Sequence, residues 1–184
     1  LYILLTLNNV ENLMSNNTIN IALIGYGFVG KTFHAPLIRS VPGLNLAFVA
    51  SRDEEKVKRD LPDVTVIDSP EAAVQHPDVD LVVIASPNAT HAPLARLALN
   101  AGKHVVVDKP FTLDMQEARE LIALAEEKQR LLSVFHNRRW DSDYLGIRQV
   151  IEQGTLGAVK HFESHFDRFR PEVRVRWREQ NVPG

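Results

Sequence analysis

A short stretch with three glycines and a lysine has the spacing of a phosphate-binding loop. The stretch "GYGFVGKT" follows the apolar run "INIALI", and its glycines, Gly25, Gly27 and Gly30, fit the G-x-G-x-x-G pattern of dinucleotide-binding loops. Through its closing pair, Lys31 and Thr32, the same stretch also fits the G-x-x-x-x-G-K-[ST] pattern of P-loops. Both loops hold phosphate on backbone N–H groups, so this spacing alone leaves both ligands open.

Gly27 favours the dinucleotide interpretation. A P-loop has no need of a glycine there, whereas a dinucleotide loop needs it because the backbone must approach a pyrophosphate closely. The N–H groups of Phe28 and Val29, at the start of the following helix, are then expected to receive that pyrophosphate. A P-loop also requires an acid at the end of a later strand to hold Mg²⁺. Asp108 in "VVVDKP" has that position, but Lys109 follows it at once.

The residues expected beside the adenosine ribose favour NADP. About 20 residues after the glycine loop the sequence reads "FVASRDEEK", with Ser51 where an NAD-binding acid is expected and Arg52 next to it. A carboxylate would repel a 2′-phosphate, whereas a hydroxyl and a guanidinium would bind it through charge-assisted hydrogen bonds. NADP is therefore the predicted cofactor, and NAD stays possible.

Apolar runs alternate with helical patterns through residues 19–135. Six runs rich in Val, Ile and Leu predict strands, and the segments between them predict helices, one of them capped by Asp114. Continuous apolar strands joined by helices indicate an α/β fold, the Rossmann type of doubly wound parallel sheet covered on both faces. Such a sheet binds its ligand at the carboxyl ends of the strands. Residues 1–18 are expected to be an N-terminal extension, with Met14 as the natural start.

The sequence changes character after residue 135. "DSDYLGIRQVIEQGTLG" predicts a helix that ends at Gly154, and "AVKHFESHFDRF" (158–169) alternates like one strand of an antiparallel sheet. One edge strand without partners leaves backbone groups unpaired. Residues 136–184 are therefore expected to be the truncated start of an α+β second domain.

Composition excludes several partners and sites. A formal net charge of -2 gives no reason to expect nucleic acid or a membrane surface as a partner. The absence of cysteine excludes disulfides and thiolate metal sites, and no metal site is predicted. It also fits a reducing cytoplasm, where we expect the protein to be located.

Four motifs together resemble one family. "GYGFVGKTFHAP", "ASPNATHAPLA", "GKHVVVDKPFTL" and "VFHNRRWDSDYL" are similar, in order and spacing, to the signatures of the Gfo/Idh/MocA (glucose-fructose oxidoreductase and inositol dehydrogenase) family. The last resembles the polyol dehydrogenase branch, which includes NADP-dependent scyllo-inositol dehydrogenases. The resemblance covers nearly all of residues 19–170. It implies an enzyme that transfers hydride between a nicotinamide cofactor and a polyol, inositol or sugar hydroxyl.

The resemblance also implies roles for individual residues. Lys109 is the expected catalytic residue, hydrogen-bonded to the substrate oxygen, with Asp108 and Lys109 both at the cofactor. His34 matches the family pattern too, and its role is left open between functional and structural. The residues expected to border the nicotinamide are Ser86, Pro87, Asn88 and His91. The residues expected to reach the substrate, or otherwise to pack between domains, are His136, Asn137 and Arg138.

Family members place a D-x-x-x-H pair in the second domain, with the histidine as general acid/base, and no such pair follows residue 170. The 184 residues are therefore expected to bind the cofactor with little turnover, and the full-length protein to be a homo-oligomer. Two alternatives are kept: a non-catalytic dinucleotide-binding regulator, which would not need Lys109, and a P-loop nucleotidase.

Overall fold

The structure is a computed structural model that describes residues 18–169 and 171–172. All of the predicted N-terminal extension except Thr18, and the last twelve residues of the predicted second domain, lie outside the described residues. The chain divides into two compact units, the first ending at Phe135 and the second beginning at His136.

The first unit contains one parallel sheet, as the apolar runs predict. Its strand order is β3-β2-β1-β4-β5-β6, and every neighbouring pair is parallel. The order reverses between β1 and β4, the point where doubly wound folds bind dinucleotides. The strands are β1 (Ile19–Ile24), β2 (Leu44–Ala50), β3 (Thr65–Ile67), β4 (Leu81–Ile84), β5 (His104–Asp108) and β6 (Leu132–Phe135).

Five α-helices connect the strands of this sheet. A π-helical turn, Gly30–His34, precedes the first of them, and a 3-10 turn, Asn88–Thr90, precedes the fourth. Asp114 caps the last helix as predicted, because its Oδ1 accepts the N–H groups of Gln116 and Glu117. The helices are α1 (Ala35–Ser40), α2 (Glu54–Asp60), α3 (Pro70–Gln75), α4 (His91–Asn100) and α5 (Met115–Glu127).

The core lies on both faces of the sheet. Along β1, Ile21 and Leu23 belong to one buried cluster, while Ala22 and Ile24 belong to the other. Successive side chains of a strand point to opposite faces, so a strand buried on both faces must be apolar at nearly every position. The predicted Rossmann-type α/β fold is confirmed.

The described part of the second unit has a 3-10 turn, Asn137–Trp140, and one helix, α6 (Ser142–Glu152). Gly154 follows that helix with a φ of 68°, consistent with its predicted stop signal. The strand predicted over residues 158–169 is wrong, because this segment is irregular and exposed. Alternating residues become a strand only when a neighbouring strand takes up their backbone hydrogen bonds, and no strand occurs in this part of the unit as described.

None of the helices in the described residues is both long and apolar enough to span a bilayer.

Candidate functional site

The glycine loop connects β1 to the first helical turn, and two of its glycines are required by the backbone. Gly25 has a φ of 98°, and a Cβ there would lie 2.8 Å from the carbonyl oxygen of Ala85. A Cβ on Gly30 would collide with the carbonyl oxygen of Gly25. A Cβ on Gly27, by contrast, would meet nothing within 4 Å. The space beside Gly27 is therefore open, as the predicted close approach of a pyrophosphate at this helix start requires.

Lys31, the P-loop-like lysine of this loop, has another partner. The ammonium of Lys31 lies 2.7 Å from Oδ2 of Asp60, at the end of α2. The hydrogen bond from Lys31 lowers the pKa of the Asp60 carboxyl. The Tyr26 hydroxyl contacts the same carboxylate at 3.4 Å. A P-loop lysine must instead reach the phosphates, so this arrangement supports the dinucleotide interpretation.

Ser51 and Arg52 directly follow β2, at the same edge of the sheet. The Ser51 hydroxyl oxygen accepts the N–H of Asp53 at 3.1 Å, and Asp53 in turn caps α2. Arg52 is exposed, and its guanidinium has no hydrogen bond or salt bridge within the described ranges. It can therefore bind a phosphate without breaking an existing contact.

Lys56 is a residue of this region that sequence reasoning missed. Its ammonium donates to the carbonyl oxygen of Tyr26 at 2.9 Å, which links α2 to the glycine loop. The sequence shows a lysine shortly after the Ser51-Arg52 pair, but it does not show that this lysine contacts the glycine loop, because tertiary packing determines that contact.

The loop after β4 contains the predicted residues Ser86, Pro87 and Asn88, and Thr90 holds it together. The Thr90 hydroxyl donates to the carbonyl oxygen of Pro87 at 2.7 Å and lies 2.6 Å from the Ser86 hydroxyl. Since Thr90 has one hydroxyl proton, Ser86 is the donor in the second contact. Asn88 begins the 3-10 turn that leads into α4.

His91 joins this loop to the loop after β5. Its side chain is buried, with Nε2 at 2.9 Å from the carbonyl oxygen of Ser86 and Nδ1 at 2.8 Å from that of Pro110. Both ring nitrogens therefore face backbone carbonyl oxygens, and the ring lies between the two loops.

Lys109 directly follows β5 and is exposed. Its backbone N–H donates to Oδ1 of Asp108 at 2.7 Å, and its peptide bond to Pro110 is cis. The Lys109 ammonium has no side-chain partner in the part of the chain that the structure describes. A free ammonium at the carboxyl edge of the sheet can donate hydrogen bonds to an oxygen of a ligand.

A buried histidine lies close to Asp108, the residue before this lysine. His34 is 4% exposed, and its Nε2 lies 4.0 Å from Oδ2 of Asp108. Burial lowers the pKa of His34, which the negative charge of Asp108 opposes.

The remaining predicted residues lie in the second unit. His136 and Asn137 stand at the start of the 3-10 turn, and Arg138 contacts the carboxylate of Asp141 at 2.6 Å. The guanidinium of Arg138 also lies 5.0 Å from the ring centroid of Phe166. Their contribution to a substrate site stays a prediction. No cluster of metal-ligating side chains occurs among the residues described.

Comparison with known proteins assigns the family. Residues 19–136, more than half of the chain, match the family GFO_IDH_MocA, described as an oxidoreductase family with an NAD-binding Rossmann fold. The chain belongs to the Gfo/Idh/MocA family of oxidoreductases. The predicted family is confirmed, and the P-loop alternative is excluded.

Relatives within the Gfo/Idh/MocA family cover nearly the whole chain. The uncharacterized oxidoreductase YdgJ of Escherichia coli is 60% identical over 171 residues, which are 93% of this chain and 49% of that protein. The NADP-dependent scyllo-inositol 2-dehydrogenase IolW of Bacillus subtilis is 38% identical over 164 residues, or 89% of this chain and 46% of that protein. A crystal structure of a candidate oxidoreductase from Klebsiella pneumoniae is 99% identical with a TM-score of 0.83, covering 85% of this chain and 45% of that one. The chain spans about half the length of these relatives.

A substitution at Gly27 is expected to change cofactor binding without changing the stability of the fold. Gly27→Ala is expected to leave the free energy of unfolding within about 0.5 kcal/mol of the original, because the new Cβ meets no protein atom. The same Cβ would occupy space that a pyrophosphate needs, so the affinity for NADPH should fall at least about tenfold. Fluorescence titration with NADPH measures this change.

Gly146→Ala is the matched control, because a Cβ at that glycine also meets nothing within 4 Å. It should leave NADPH affinity unchanged. If Gly27→Ala binds NADPH as tightly as the original chain, the pyrophosphate does not lie beside Gly27.

Two histidines with lowered pKa values are expected to make the folded protein less stable at mildly acidic pH. Burial lowers the pKa of His34 and of His104, and Nδ1 of His104 accepts the N–H of Leu131 at 2.9 Å. Below their ordinary pKa of about 6.5 the unfolded chain therefore binds more protons than the folded one. The free energy of unfolding by urea should decrease from about pH 7.5 to about pH 5.5.

His104→Asn keeps an acceptor for the Leu131 N–H and removes the titrating ring, so its decrease should be smaller. Stability that is constant or rises across this range would show that the folded state does not favour the neutral imidazoles.

Proposed function

We propose that this protein is an NADP-dependent oxidoreductase that acts on a CH–OH group of a polyol, an inositol or a sugar. The observation that carries the proposal is the exposed, unpartnered ammonium of Lys109 among the described residues, at the carboxyl edge of a dinucleotide-binding sheet. IolW, which shares 38% identity, is named an NADP-dependent scyllo-inositol dehydrogenase and supports both the cofactor and the substrate class.

Different residues of the first unit would bind different parts of the cofactor. The N–H groups of Phe28 and Val29 would hold the pyrophosphate, and the open side of Gly27 would admit it. Ser51 and Arg52 would bind the 2′-phosphate that distinguishes NADP from NAD. The nicotinamide end would lie against the loop formed by Ser86, Pro87 and Asn88, whose backbone is held by His91 and Thr90.

Lys109 would orient the substrate and stabilise charge. When bound, NADP supplies a nicotinamide that accepts hydride from a CH–OH carbon or returns it to a carbonyl. The ammonium of Lys109 would donate a hydrogen bond to the substrate oxygen and stabilise the negative charge that develops as the hydroxyl proton leaves. The general base would lie in the half of the relatives' length that this chain does not span.

The test is reduction of NADP, followed by absorbance at 340 nm with a panel of inositols, other polyols and aldoses. It uses a protein of the relatives' full length that contains this sequence. Reduction with at least one of these substrates, faster with NADP than with NAD, is the expected result. Tight NADPH binding without reduction of NADP by any member of the panel would favour the non-catalytic regulator instead.

A further inference from the structure

The side chain of His34 is buried and incompletely hydrogen-bonded. Its Nε2 is the buried side-chain polar atom that lacks a hydrogen-bond partner in the described part of the chain. The ring packs against Phe135, with the centroids 4.4 Å apart. Buried polar atoms are nearly always paired, so an unpaired one at a site edge requires an explanation.

The group that faces this nitrogen is the carboxylate of Asp108. This side chain is itself buried, and its two oxygens have different surroundings. Oδ1 accepts the backbone N–H of Lys109 at 2.7 Å, while Oδ2 lies 4.0 Å from Nε2 of His34. That separation exceeds a direct hydrogen bond by about 1 Å. Hydrogen bonds of active sites are often long without ligands and shorten when the ligands bind.

The backbone around His34 connects this pair to the cofactor loop. His34 is the last residue of the π-helical turn Gly30–His34, which starts at the third glycine of the loop. Isolated π-helical turns occur frequently at functional sites. One helical turn therefore connects the glycine loop to His34, whose Nε2 faces the carboxylate of Asp108.

We propose that His34 is a positioning residue for Lys109. Its Nε2–H donates to Oδ2 of Asp108, which fixes the carboxylate and, through Oδ1, the backbone of Lys109. His34 does not touch the substrate. The orientation of Lys109 matters for catalysis only if the proposed function is correct, but the contact itself can be tested without turnover.

The test compares two substitutions that separate the donor from the ring. His34→Phe keeps an aromatic ring against Phe135 and removes the donor, whereas His34→Gln places an amide N–H₂ near the position of Nε2. Hydrogen exchange of the Lys109 amide, measured by NMR, should be about tenfold faster in His34→Phe and within about threefold of the original in His34→Gln. The amide of Val107, inside β5, reports general loosening and should change little in either variant.

Turnover of the full-length protein provides a second measurement. His34→Phe should lower kcat about tenfold with an unchanged Kd for NADPH, and His34→Gln should keep most of kcat. If the original protein does not reduce NADP, the proposed function fails while the exchange result still decides the role of His34.

Two results would overturn the role of His34: unchanged exchange at Lys109 in a folded His34→Phe variant, or equal acceleration in both variants. If His34→Phe does not fold, a double-mutant cycle of His34→Leu, which also removes the donor, and Asp108→Asn decides the question. Coupling of more than about threefold in Lys109 exchange supports the contact, and additive effects contradict it.

Discussion

Lys109→Ala is expected to lower the rate of NADP reduction by roughly 10² to 10³-fold, the usual effect of removing a group that stabilises a developing oxyanion. The ammonium is exposed and unpartnered among the described residues, so its loss should not disturb the fold. NADPH affinity should stay within about threefold, because the pyrophosphate and adenosine contacts belong to other loops. Absorbance at 340 nm and an NADPH titration on the full-length protein measure the two quantities.

Lys128→Ala is the control for removal of a lysine charge. Lys128 follows α5 and pairs with Glu127 at the surface, so its loss should change neither quantity. A Lys109→Ala variant that keeps its rate would remove Lys109 from the mechanism. A variant that loses NADPH binding instead would show that the lysine binds the cofactor rather than the reacting oxygen.

Arg52→Ala is expected to weaken NADP binding by one to two decades and NAD binding by less than about threefold. Each charge-assisted hydrogen bond to a phosphate contributes about 1.5 to 3 kcal/mol to binding. NAD has no 2′-phosphate, so its binding does not depend on such a bond. Arg52 has no partner inside the described ranges, so the fold should be unaffected. Calorimetric titration with both cofactors measures the difference.

Arg59→Ala serves as the matched control, because Arg59 is also an exposed arginine, in the last turn of α2. It should not change the affinity for either cofactor. Equal losses of NADP and NAD affinity in Arg52→Ala would contradict the assignment of this residue to the 2′-phosphate.

The sheet and the site loops could be predicted from the sequence because their signals are local. A strand buried on both faces must be apolar at nearly every position, as β1 and β4 are. The candidate site residues then follow from position alone, since Gly25, Ser51 and Lys109 each stand just after a strand. Parallel strands bring all those ends to one edge of the sheet.

The contacts that support the site could not be predicted in the same way. His34 faces the carboxylate of Asp108, and His91 contacts the carbonyl oxygen of Pro110, only because the helices pack against the sheet in one register. Sequence spacing contains no information on such pairs. The strand prediction for residues 158–169 was wrong for a related reason. Alternation of apolar and polar residues shows which side chains would share a face of a strand, but not whether a neighbouring strand is present to pair with it.

Binding of NADP by the loop at Gly25 is tested by fluorescence titration of the chain with NADPH, with competition by NADP, NAD and ATP plus Mg²⁺. We expect saturable binding of NADPH. NADP should displace it, NAD should displace it only at higher concentration, and ATP with Mg²⁺ should not displace it. Absence of NADPH binding, or displacement by ATP with Mg²⁺ as effective as by NADP, would contradict the binding of NADP by this loop.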